Sequence, residues 1–233
     1  MPAALSASAA TRNPNQLSRF TWESRLPDHH VIALADPALG MDDSILGAWF
    51  LHPTTDLLEE MSTIVREHAS SLGILNEEIL FYGSSLGGYG ALSMASFIPG
   101  SSAIAEIPQI DVAQWHVASA IRAMEEKILG VSFENFRTTH AERINLLNRF
   151  EKNGTIPPFA IITNKNDASY AMQTSFMNLL ENCPTKKIGQ QLLISTDIVS
   201  GHRALSRDLA LDLITSWSKN KQVADCVFLE SIS

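Results

Sequence analysis

Cysteine is scarce in this chain of 233 residues, which holds only Cys183 and Cys226. Two cysteines cannot build a disulfide scaffold, so stability must come from a packed core, and both are expected to be reduced thiols. Positive charge is also short. Lys and Arg total 17 against 25 Asp and Glu, a formal net charge of −8, and no lysine or arginine run occurs. A nucleic-acid binder needs a basic face to meet phosphate, and this composition supplies none. No apolar stretch approaches the ~20 residues of a bilayer-spanning helix. The opening MPAALSASAATRNPNQ has neither the basic start nor the continuous apolar segment of a secretory signal. Its Ala, Ser, Asn and Pro content reads as a flexible leader over 1–17, and a cytoplasmic location is the expectation. Metal-ligand spacing is missing as well. His29, His30, His52, His68, His116 and His140 fall at no ligating interval, and H-E-x-x-H and C-x-x-C are absent, so no metal site is expected.

What is present is a globular composition, 45% hydrophobic and 18% charged, in a chain long enough for one sizeable domain. Short apolar runs rich in strand formers alternate with helical patterns. VIALA (31–35), EILFY (78–82), SAIAEI (102–107), PFAIIT (158–163) and QQLLIST (190–196) read as buried strands. LGAWFLH (46–52) is ambiguous between strand and helix. From Thr55 to Leu72, the residues Leu57, Leu58, Met61, Ile64, Val65 and His68 recur at helical spacing. Thr55 or Asp56 would cap that helix and Gly73 would end it. Further helices are expected in LGGYGALSMASFI after residue 85, near 169–181 and over 203–219. Strands alternating with helices predict an α/β fold, a mostly parallel sheet flanked by helices.

The densest signal is FYGSSLGGYG at 81–90, a glycine-rich turn between a strand and a helix. Phosphate loops use that frame, but the Lys of a P-loop and the spacing of a dinucleotide fingerprint are both missing. That weighs against a nucleotide-dependent transferase. Gly83-Ser84-Ser85-Leu86-Gly87 does satisfy the nucleophile elbow, G-x-S-x-G. A serine in so tight a strand-to-helix turn is strained, and side chains two positions to either side would collide with one another. Glycine removes that clash and leaves the Ser85 hydroxyl at the carboxyl end of the sheet. The Leu86 amide, at the helix N-terminus, points where an oxyanion would form. Ser84 falls at the variable position.

Partners follow in the order Ser, acid, His. PFAIIT runs into NKND, putting Asp167 at the carboxyl end of a strand, and QQLLIST is followed by DIVSGHR, putting His202 in the next such loop. Parallel strands finish together, so both should reach the edge that carries Ser85. Asp167 has a second reading as N-cap of the helix near Ser169. Asp197 is the second choice for the acid, and His202 has its own alternative as a cap of the last helix.

FYGSSLGGYGAL, the Asp167 loop and the terminal Gly-His resemble the α/β-hydrolase superfamily from Val31 onward. LADPALG, AWFLH, EIPQIDV and ITNKND are also similar to bacterial proteins associated with surface polysaccharides and accessory secretion. The resemblance implies an esterase-like serine hydrolase, without metal or organic cofactor, cleaving a small-molecule or glycan ester through an acyl-enzyme. Ser85 would be the nucleophile, His202 the base and then acid, and Asp167 the orienting carboxylate. A noncatalytic relative, serving as a binding or assembly module, is the alternative.

One departure from the family concerns the second oxyanion donor, which the loop after the third strand normally supplies. Only some thirty residues precede Val31, so the fold is expected to be N-terminally reduced. If VIALA takes the third-strand role, the loop Asp36–Met41 would give the donor. Pro37 has no N–H, which leaves Ala38 or Leu39. The hydrolase domain is expected over 18–233, with a helical cap insertion at about 108–156. Within that insertion Trp115, His116, Phe133 and Phe136 are candidates to line a substrate pocket, or else to fasten the insertion to the core.

Overall fold

The computed structural model describes Met1, Leu17 and residues 19–220. Most of the expected leader, and Cys226, therefore lie outside the described residues. Strands form at β1 (Leu80–Ser84), β2 (Ser102–Glu106), β3 (Thr155–Ile156), β4 (Phe159–Thr163), β5 (Lys186–Lys187) and β6 (Gln191–Ser195). Four of them make a parallel sheet in the order β1-β2-β4-β6, while the short β3 and β5 pair parallel by themselves. The α-helices are α1 (Leu57–Ser71), α2 (Leu86–Phe97), α3 (Ala118–Met124), α4 (Phe133–His140), α5 (Leu146–Asn153), α6 (Tyr170–Asn182) and α7 (Arg207–Asn220).

The strands are apolar at consecutive positions because both faces of the sheet are covered. Phe81, Ala103, Ala105, Phe159 and Ile161 join one core with residues of α1, α2, α5 and α6. Ile104, Ala160, Ile162 and Ile194 pack in a second core with Leu213 and Trp217 of α7. The Trp217 indole also donates to Ser102 Oγ at 2.9 Å, pinning α7 to β2. In α2 every residue from Leu86 to Ser96 is buried, which the run of small side chains allows. The helix lies against β1, β2, α1 and α5.

Some elements differ from the expectation. Residues 31–35 form no strand; Val31 and Leu34 instead line a cavity of about 400 Å³ beside β1, the end strand among those described. Their single short apolar run finds no ladder there. In α1 the buried residues are Leu58, Met61, Ser62, Val65 and Ala69, whereas Ile64 is exposed. Asp56 sits at its N-cap without capping it, because its carboxylate is taken by Arg149 of α5. LGAWFLH is neither strand nor helix but a turn, with Trp49 and Phe50 both at positive φ. Between β2 and β4 the chain is largely helical, α3 to α5, in the stretch expected as the insertion. No described helix is long and apolar enough to cross a membrane.

Candidate active site

At the end of β1 the backbone turns sharply into α2, and Ser85 at that point has φ 54° and ψ −123°. This is a conformation that costs an L-residue of order 1–3 kcal/mol and persists only where its surroundings impose it. Three contacts do so. The Ser85 N–H donates to Glu106 O on β2 at 2.8 Å, and the Ser85 carbonyl accepts from the N–H groups of Gly88 (2.9 Å) and Tyr89 (3.2 Å). A Cβ at position 83 would lie 2.1 Å from the carbonyl oxygen of Gly87, an impossible approach. The two outer glycines of the motif thus touch each other beneath the serine.

The hydroxyl this bend presents meets His202, whose Nε2 lies 2.8 Å from Ser85 Oγ. His202 Nδ1 lies 2.7 Å from Asp167 Oδ2. A carboxylate only accepts, so Nδ1 carries the proton toward Asp167, and Nε2 is left to accept from the serine. The Asp167 side chain is fully buried; that of His202 remains 27% exposed, open to a reacting partner. Asp167 also accepts from the Ser169 N–H at 2.8 Å through Oδ1. That bond closes the turn before α6, whose N-cap is Ser169 rather than Asp167.

Polar residues that the sequence reading did not single out hold the histidine loop in place. Asn164 is 2% exposed, and its carboxamide bonds Gly201 in both directions: Nδ2 donates to Gly201 O at 2.8 Å, and Oδ1 accepts from Gly201 N at 3.0 Å. Farther along, the Leu205 N–H donates to Glu106 Oε2 at 2.7 Å, and the Tyr82 hydroxyl donates to the other Glu106 oxygen. Burial raises the Glu106 carboxyl above its ordinary value, against the hydrogen bonds from Tyr82 and Leu205. A fourth residue, Gln109, reaches the Ser85 hydroxyl itself, with Nε2 3.1 Å from Oγ. Its only sequence signal was position: a polar side chain just past the carboxyl end of the strand next to the elbow.

The aromatic candidates divide. The Trp115 ring lies 4.9 Å from that of His202 and 4.1 Å from that of His116, so Trp115 stands beside His202 and His116 packs on Trp115. Phe133 and Phe136 are 4% exposed and belong to the main core, where they fasten α4 to the fold. The loop 36–41 does not present the expected donors. Ala38 N–H is taken by Asp36 Oδ1 at 3.1 Å, and Leu39 N–H by the Asp36 carbonyl at 3.2 Å. Both are spent on the short 3₁₀ turn at Pro37–Gly40. Leu86, in contrast, is the first residue of α2, where an N–H has no carbonyl of its own helix to meet.

No family model matches the chain, and no curated protein sequence matches it. Solved structures do. The capsule O-acetyltransferase of Neisseria meningitidis serogroup A is similar with a TM-score of 0.55 and 18% identity, over 75% of this chain and 70% of that one. A variant of that enzyme solved in complex with CoA gives 0.54 and 17%, over 75% and 69%. Puromycin hydrolase gives 0.52 and 17%, over 73% of this chain and 26% of that one. Parallel strands in this order, a strand–elbow–helix at β1 and the loops after β4 and β6 gathered on the elbow amount to an α/β-hydrolase fold, with a largely helical stretch between β2 and β4.

Proposed function

We propose that the protein is a serine-dependent acyl-transfer enzyme that cleaves an ester-type bond through Ser85, His202 and Asp167. The observation that carries this reading is the unbroken relay from Ser85 Oγ through His202 to Asp167, at 2.8 and 2.7 Å. Ser85 Oγ attacks the acyl carbon while its proton passes to His202 Nε2, and the carbonyl π pair moves onto oxygen. The tetrahedral intermediate collapses, the C–O bond to the alcohol breaks, and His202 returns the proton to the departing oxygen. An acyl-Ser85 ester remains. A second hydroxyl compound, activated by the same imidazole, then takes the acyl group and frees the serine. Asp167 keeps the imidazole in one tautomer and stabilises the imidazolium between the two steps.

With water as acceptor the reaction is hydrolysis, and an esterase acting on a small-molecule or glycan ester is the leading form. Acyl transfer to a sugar hydroxyl is the second form, favoured by the similarity to a capsule O-acetyltransferase. Trp115, half-exposed beside His202, offers a ring on which a sugar face would stack. A noncatalytic module has no use for a strained serine within hydrogen-bond reach of a histidine, and the 2.8 Å contact supports the catalytic reading against it.

The test compares wild type with Ser85→Ala. A fluorophosphonate probe is expected to label wild type alone, and p-nitrophenyl acetate turnover is expected to fall by roughly a million-fold at most, the loss seen in a worked serine-protease case. Folded wild type that neither labels nor turns over the ester would overturn the proposal.

A further inference from the structure

We infer that the Gln109 carboxamide is the second oxyanion donor, working with the Leu86 N–H, and that Trp49 is the residue that positions it. This rests on the serine-nucleophile reading above. Gln109 is 1% exposed and has both ends engaged: Nε2 on Ser85 Oγ at 3.1 Å, and Oε1 on Trp49 Nε1 at 3.1 Å. An indole nitrogen only donates, so the carbonyl end of the amide must face Trp49 and the NH₂ end must face the serine. The tryptophan thereby fixes which way round the carboxamide stands.

A donor so placed suits the reaction. It touches the same Oγ that meets His202, so it favours the negative charge that grows on Oγ as the proton leaves. Once the Oγ–C bond has formed, the oxyanion is bonded to the same carbon as Oγ. The amide nitrogen has a second hydrogen, and among the described residues its one acceptor is Ser85 Oγ. That second N–H is available to the oxyanion. It fills the role vacated by Ala38 and Leu39, whose amides are spent within the 36–41 turn.

The backbone around Gln109 is shaped for this placement. Ile107, two residues before it, has φ 42°, a real outlier for a β-branched side chain, and its N–H donates to Ile162 O at 2.7 Å. That kink turns the chain off β2 toward the elbow. Trp49 and Phe50 are held at φ 49° and 58°, with the Phe50 N–H on Asp36 Oδ2 at 3.0 Å. The last two glycines of the 81–90 stretch admit both loops. A Cβ on Gly88 would lie 3.0 Å from Pro108 Cβ, and one on Gly90 2.6 Å from the Phe50 ring. Three strained non-glycine residues besides Ser85 and two close approaches thus converge on one carboxamide.

The experiment measures p-nitrophenyl acetate kinetics for Gln109→Glu, Gln109→Ala and Trp49→Phe beside wild type and Ser85→Ala, with thermal melts of each. Gln109→Glu keeps the volume and the acceptor for the indole but replaces the donor facing Ser85 with an acceptor. It is expected to lower kcat about 10²–10³-fold, the loss typical of one oxyanion-hole donor, with little change in KM. Gln109→Ala should match it, and Trp49→Phe should lower kcat by a smaller factor while leaving KM in place. If wild type is active, Ser85→Ala is dead and folded Gln109→Glu keeps kcat within about threefold, this inference fails and the serine reading stands. Equal losses in kcat and in melting temperature for Gln109→Ala, with Gln109→Glu active, would make the residue structural and also overturn it. An inactive wild type would instead sink the reading beneath it.

Discussion

Ser85 permits a test of the elbow that does not depend on activity. Its backbone, φ 54° and ψ −123°, is open to glycine but strained for any residue with a Cβ. Replacement by Ala and by Gly removes the same hydroxyl, hence the same contacts to His202 and Gln109. The difference between the two variants therefore reports the backbone alone. Strain of roughly 2 kcal/mol, the middle of the usual range for such a site, favours the Gly variant. Against it, the unfolded chain gains conformational freedom with glycine, worth about 0.4–1 kcal/mol. The net expectation is that Ser85→Gly is more stable than Ser85→Ala by about 1 kcal/mol, or about 2–4 °C in Tm for a domain of this size. Urea unfolding at a common m-value reads the difference directly. The control is Ala171→Gly at an exposed position in the first turn of α6, where glycine should cost up to about 1 kcal/mol. If glycine is the worse residue at both positions by similar amounts, Ser85 carries no strain, and the steric account of the glycine motif fails with it.

Two further expectations concern buried charge. Asp36 is 1% exposed, and burial pushes its carboxyl from 3.8 up to about 6, against the pull of the Phe50, Ala38 and Ala48 N–H groups. Between those values the folded chain binds a proton that the unfolded chain has lost, so stability must fall as pH rises from about 4 to about 6 and then level. The fall attributable to Asp36 is on the order of 3 kcal/mol. Urea titrations of wild type and Asp36→Asn across that interval should show a gap that changes with pH in this sense; a constant gap refutes it. The second site is Asp56, which is paired with Arg149, itself 1% exposed, and has Arg143 Nε at 3.9 Å. Asp56→Ala leaves the Arg149 guanidinium buried without its carboxylate and should cost about 3–5 kcal/mol. Asp208→Ala, which breaks the exposed pair with Arg25, should cost under about 1 kcal/mol in the same denaturation assay.

Whether a residue's role could be read from the sequence depended on how local its cause was. Gly83 and Gly87 were legible because the serine's bend forces them together across four residues of chain. Asp167 and His202 were legible because parallel strands end on one edge, so a polar residue after each such strand is a candidate. The second oxyanion donor inferred above, Gln109, was not. Assigning that role to Ala38 or Leu39 required 31–35 to be a strand, and pairing at a sheet edge is a property of neighbours rather than of one apolar run. Asn164, Glu106 and Gln109 were missed for a related reason. Each is a single polar residue whose partner lies 37, 99 or 24 positions away. Nothing in local spacing separates such a residue from a solvated one. Phe133, Phe136, Trp115 and His116 read alike as aromatic candidates in the insertion, and only packing separated the first two, in the core, from Trp115 beside His202 and His116 against Trp115.

The cost of the architecture bears on the Gln109 proposal. A buried carboxylate at position 36 and positive φ at Trp49, Phe50 and Ile107 each lower stability, and the four-strand ladder requires none of them. Local rules broken at several points in one neighbourhood mark a site rather than scattered accidents. They also form a sequence of contacts: the Asp36 carboxylate holds the Phe50 N–H, that turn aims the Trp49 indole, and the indole orients the amide that meets Ser85 Oγ. Asp167 reaches the same oxygen through His202. One carboxylate thus lies behind the group that would take the serine's proton, and another behind the group that would steady the resulting negative charge. On this view, disturbing Asp36 should weaken turnover through Gln109, so the effects of Asp36→Asn and Gln109→Ala on kcat should overlap rather than multiply.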